Sequence, residues 1–138
     1  MSACVLDASV TMSWLSPDEI TAESQRILEC VITEGAIAPM LWGVEIRNAL
    51  LMAKRRKRLE EIHLTLAFNL LNELPIIIEP LPDNAMLQQI FSLATLENLT
   101  MYDACYLQCA KKRRLPLATF DTALMNAATR QGVEILKK

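Results

Sequence analysis

Apolar positions along the chain fall into two kinds of run. Short, almost unbroken runs occur at Ala3-Cys4-Val5-Leu6, Ala36-Ile37-Ala38-Pro39, Ile76-Ile77-Ile78, Leu117-Ala118-Thr119-Phe120 and Val133-Glu134-Ile135-Leu136. Runs of this length bounded by turn residues read as strands, the first and the fourth of them buried. Between them lie longer stretches whose apolar residues recur at helical spacing. Pro17 followed by two acids predicts a helix start, with a helix over 20–34 whose inner side is Ala22, Ile27, Leu28, Val31 and Ile32. Val10 to Leu15 reads as a helix or turn. Further helices are predicted over 41–58, with Val44, Ile46, Ala49, Leu50 and Ala53 inward, and over 60–74, 83–97, 100–113 and 121–131. Gly35, Pro75, Asn98 and Gly132 mark the ends of helices. Strands alternating with helices predict a three-layer α/β/α domain, a central, mostly parallel sheet of four or five strands with helices on both faces.

Composition narrows the class. The chain has 138 residues, which fits one domain over 1–138, and it is 52% hydrophobic, enough for a sizeable core. No apolar run approaches the ~18 residues of a membrane helix. The N-terminal residues show neither a basic leader nor a long apolar segment, so no secretory signal is expected and the expected location is cytoplasmic. Cys4, Cys30, Cys105 and Cys109 with the single His63 make a poor zinc set, and they read as buried thiols in a reducing compartment. Trp14 and Trp42 read as packing residues, and His63 as a surface helix residue. Phe68, Leu70 and Leu71 could serve a dimer or partner groove.

The formal net charge is −2, which excludes a protein that binds nucleic acid by bulk charge. Nine of the 14 basic residues nevertheless sit in Lys54–Arg58 and Lys111–Arg114. Both runs fall where helices end, and cations there complement the helix dipole.

Four acids carry the candidate chemistry. Asp7 and Asp121 follow strands, and Glu45 and Asp103 begin helices. Each has an ordinary structural reading: an Asx turn for Asp7, a first-turn charge for Glu45, half of a capping box with Thr100 for Asp103, an N-cap for Asp121. In a parallel sheet, however, all four positions fall at the carboxyl edge, where ligands of such sheets bind. Clustered carboxylates repel by roughly 4 kcal/mol per close pair at an effective dielectric of 20. A divalent cation relieves that repulsion, and oxygen-only ligands suit Mg²⁺ or Mn²⁺. Ser9 and Thr119 each stand two residues from an acid, placed to orient a carboxylate.

These blocks resemble the PIN-domain family, and most closely the VapC-like toxin ribonucleases of prokaryotic toxin–antitoxin pairs. Val5-Leu6-Asp7-Ala8-Ser9 is similar to the family's first acidic block, and Pro39 to Leu50, with Glu45 and Asn48, to its second. Leu99 to Leu107 resembles the third block, with Asp103, and Ala118 to Leu124 the fourth, with Thr119 and Asp121. The resemblance implies a parallel sheet, a homodimer, Mg²⁺ or Mn²⁺, endonucleolytic cleavage of RNA, and a small antitoxin that blocks the site. It assigns Asp7, Asp103 and Asp121 as metal ligands and Glu45 as a fourth catalytic acid. Ser9, Asn48 and Thr119 become their supports. Arg47, near the acids, is the better candidate for a phosphate contact than either basic run.

Two other readings compete. One is an aspartyl-nucleophile phosphatase using Asp7, although such enzymes want an acid where Ser9 stands. The other is a non-catalytic module that binds RNA or protein. A nucleotide-cofactor domain is weaker, because no glycine-rich phosphate loop follows Leu6.

Overall fold

The computed structural model describes residues 2–137. Four strands, β1 (Val5–Leu6), β2 (Ala36–Ala38), β3 (Ile76–Ile78) and β4 (Leu117–Ala118), form one sheet in the order β3-β2-β1-β4, with every pairing parallel. Val5 pairs with Ile37 on one side and Leu117 on the other. Seven α-helices among the described residues supply the crossovers: α1 (Ala8–Leu15), α2 (Ala22–Glu34), α3 (Leu41–Arg55), α4 (Glu61–Glu73), α5 (Asn84–Glu97), α6 (Met101–Arg113) and α7 (Thr122–Arg130). Successive strand residues point to opposite faces. Val5 and Leu6 are both fully buried, as are Leu117 and Ala118, so β1 and β4 are covered on both sides. That is the α/β layering the run pattern predicts.

The helices anchor their aromatic residues as expected. The Trp42 indole N–H donates to Thr11 Oγ1 at 3.0 Å, and the Trp14 indole N–H donates to the Ser24 carbonyl at 2.8 Å. Both rings are buried. The cysteines form no disulfide among the described residues; Cys4 and Cys109 are buried, and Cys30 donates its thiol to Glu34. His63 serves its own helix, its Nδ1 accepting from the Glu60 backbone N–H.

Several local expectations fail for identifiable reasons. Pro17 starts only a three-residue 3₁₀ turn, Pro17–Glu19. The chain then re-extends, and α2 starts after Thr21, whose side chain exchanges hydrogen bonds with Ser24 in a capping box. That reciprocal pair satisfies two helix-end donors, which Pro17 cannot do. The inner stripe of α2 is Ser24, Ile27 and Val31, while Ala22 and Ile32 face solvent. Val44 in α3 is exposed as well. α3 stops at Arg55 instead of Arg58, because Lys57 takes a left-handed conformation (φ 58°) and the Arg58 N–H turns back to the Ala53 carbonyl. β3, the third strand as expected, lies at the sheet's edge, where Ile77 is 59% exposed. The last predicted strand shrinks to one parallel bridge between Leu117 and Ile135, because the C-terminal segment meets the sheet only at Leu117.

Candidate active site

All strands run the same way, so their carboxyl ends share one edge, and α3 and α6 begin there. β1 ends in Asp7, which is only 5% exposed. Its Oδ2 accepts from Ser9 Oγ at 2.6 Å and from Thr119 Oγ1 at 2.7 Å, the latter reaching across from the end of β4. Neither hydroxyl is idle on its acceptor side. Ser9 Oγ accepts from the Phe120 backbone N–H at 3.0 Å, and Thr119 Oγ1 accepts from the Asp121 backbone N–H at 3.1 Å. These bonds replace the sheet ladder beyond Ala118, so β4 ends there and the chain turns into α7. They also lock the Asp7 carboxylate by one oxygen.

The other three acids follow related patterns. Glu45, in the second turn of α3, accepts at Oε1 from the Tyr106 hydroxyl at 2.8 Å. Asp121 is exposed and caps α7, its Oδ1 accepting from the Leu124 backbone N–H at 2.8 Å. Thr100 caps α6 by accepting from the Asp103 backbone N–H at 3.1 Å. The reciprocal half of that predicted capping box does not form, so the Asp103 side chain is left for other partners. Asp7, Glu45 and Asp121 are thus each held by the protein through one carboxylate oxygen.

Electrostatics tie the four together. Burial pushes the Asp7 carboxyl above its ordinary range, against the opposing pull of the Ser9 and Thr119 hydroxyls. Asp103 is pushed up to about 6, first by burial and then by the charges of Asp7 and Asp121. Glu45 is raised by burial, with Asp7 and Asp103 adding to it and the Tyr106 hydrogen bond opposing. Like charges that disfavour one another's ionisation mark a shared site.

The arrangement is not a closed cage. Among the described residues, no three His, Cys, Asp or Glu side chains are gathered tightly enough to hold an ion by themselves. The donor chemistry still fits a small hard dication. The ligands would be oxygens only, each offered singly, and Mg²⁺ keeps several waters while taking one or two carboxylates. Residues that would hold such an ion are Asp7, Asp103 and Asp121, with Glu45 beside them.

Of the expected supports, Ser9 and Thr119 are in contact with Asp7. Asn48 and Arg47 are not joined to the acids. Asn48 is exposed on α3 with no hydrogen bond to them among the described residues, and the Arg47 guanidinium folds back to the Gly43 carbonyl at 3.0 Å. Tyr106 went unnoticed in the sequence. Its only signal is its position, three residues after Asp103 on the same helix face.

A parallel α/β domain with coupled carboxylates at the carboxyl edge of its sheet defines the class. The PIN-domain family model matches residues 4–129, and the chain belongs to that family, a nuclease fold. Among solved structures, PAE2754 from Pyrobaculum aerophilum is similar at 22% identity and a TM-score of 0.66, over 91% of this chain and 79% of that one. FitAcB from Neisseria gonorrhoeae is similar at 23% identity and a TM-score of 0.60, over 96% and 95% of the two chains. No curated protein matches the sequence.

Proposed function

We propose that the chain is a metal-dependent endoribonuclease, the VapC-like toxin of a toxin–antitoxin pair, acting in the cytoplasm. The observation that carries the reading is that Asp103 feels the charges of Asp7 and Asp121, and Glu45 those of Asp7 and Asp103, at one sheet edge. A stable fold gains nothing from such repulsion, whereas a polyanion-cleaving site needs it to hold a cation. When bound, Mg²⁺ or Mn²⁺ supplies an activated water and neutralises charge on the leaving oxygen. Asp7, Asp103 and Asp121 hold the ion. Glu45 positions the attacking water or completes the ligand set. Ser9 and Thr119 keep Asp7 in one orientation, so no side-chain reorganisation is spent there. Arg47, free to leave the Gly43 carbonyl, meets a phosphate of the bound RNA.

Two partners accompany this reading, a second copy of the chain and a small antitoxin. Support comes from large apolar side chains left in solvent, among them Val44 and Leu51 on α3, Phe68 on α4 and Ile77 on β3. Leu71 is not available to a partner, because it is buried in the core.

The test is cleavage of a defined single-stranded RNA with Mg²⁺, with EDTA, and by the Asp7→Asn variant. Cleavage is expected only in the first case. Asparagine still accepts from Ser9 and Thr119, so the variant keeps the fold while losing the charge. Undiminished cleavage by D7N rules the assignment out, and a silent metal titration would favour the non-catalytic binding module.

A further inference from the structure

The nuclease reading leaves one buried polar group without a role. Tyr106 is fully buried in α6, and its hydroxyl donates to Glu45 Oε1 at 2.8 Å across 61 residues of sequence. That bond ties the second turn of α3 to the early turns of α6, the helices that carry Glu45 and Asp103. Phenylalanine would fill the same space and leave no hydroxyl to satisfy, so packing alone does not call for tyrosine here. The bond also removes the freedom of a long side chain, since a half-buried glutamate has several rotamers to choose among.

We propose that Tyr106 is a positioning residue for the cleavage reaction: its hydroxyl fixes one oxygen of Glu45 and so holds that carboxylate among those of Asp7 and Asp103. This role rests on the nuclease reading above. It requires Tyr106 to act through Glu45 and through no other group, which distinguishes it from a contribution to folding.

The experiment compares wild type, Tyr106→Phe, Glu45→Gln and the double variant on one RNA oligonucleotide in Mg²⁺, with thermal unfolding of each in EDTA. Y106F is expected to lower kcat by up to about 10²-fold, as a misplaced catalytic group does, with KM unchanged. The double variant is expected to be no slower than E45Q, because both changes disable the same group. In EDTA the two Tm shifts are expected not to add. A wild-type kcat for Y106F, or losses that multiply in the double variant, would overturn the role while leaving the nuclease reading in place. Failure of the wild type to cleave RNA would overturn that reading, and this role with it. Should Y106F fail to fold, 3-fluorotyrosine at position 106 keeps the hydroxyl and its shape but changes its strength as a donor. An unaltered kcat with that residue would equally overturn the role.

Discussion

A carboxylate kept from water and beside its own kind favours the proton, and this sets how the metal-free protein responds to pH. Asp103 titrates at about 6 in the fold against an ordinary value of 3.8. Between those values the folded state binds more protons than the unfolded one, so stability falls as pH rises through that window and stays lower above it. Asp7 and Glu45 are raised too and act in the same direction. Glu79 and Glu97, lowered by Arg113 and by Gln131 and Arg130, act in the opposite direction. Asp103→Asn isolates the site. In EDTA its Tm is expected to exceed that of wild type above about pH 6 and to match it below about pH 4. A parallel pair of Tm curves would show that neither burial nor the neighbouring charges raise Asp103. At this scale the four acids were legible in the sequence, because the ends of strands and the starts of helices meet at one edge in any parallel sheet. Tyr106 was not legible. A buried tyrosine reads as core, and its partner, 61 residues away, is brought near only by the tertiary fold.

Among the elements, the caps decide where site residues point, and Asp121 does two jobs at once. It caps α7 through the Leu124 N–H and contributes charge to the cluster. Asn caps a helix about as well as Asp, whereas Ala forfeits about 1 kcal/mol. Asp121→Asn should therefore keep wild-type stability in urea unfolding, and Asp121→Ala should lose about 1 kcal/mol. If the charge matters, both lose cleavage to the same degree; cleavage retained by D121N alone would reduce Asp121 to a cap. Element boundaries were read less well than element types. Pro17 drew the start of α2 too early, because the Thr21–Ser24 capping box lacks the glutamate or glutamine that marks such boxes in sequence. The end of α3 was missed for a similar reason, since its left-handed closing residue is Lys57 and not glycine. The exposure of β3 follows from strand order, which no local pattern of three isoleucines encodes.

Across the whole molecule, charge is separated along the same two helices that build the site. α3 carries Glu45 near its start and Lys54 and Arg55 in its last turn; α6 carries Asp103 in its first turn and Lys111, Lys112 and Arg113 in its last. Both arrangements complement the helix dipole. They leave an acidic edge for the cation and basic ends about 15 Å away along each helix. The basic ends are too far to touch a reacting phosphate, yet an RNA strand laid over the site extends that far. Part of this charge is already committed, since Lys54 pairs with Glu61 at 3.2 Å and Arg113 with Glu79. Each phosphate contact on a single strand contributes about 0.7 to the slope of log affinity against log salt. Replacing Lys54, Arg55, Arg56, Lys57 and Arg58 by Gln should therefore flatten that slope by up to about 3, four contacts and not five because Lys54 is paired. At saturating RNA the same variant should keep its kcat, because none of the five reaches the carboxylates. Binding measured over a range of salt, with cleavage measured at saturation, separates the two effects. An unchanged slope would make the cluster a solvated helix end and move the search for the RNA path to Arg47 and the far end of α6.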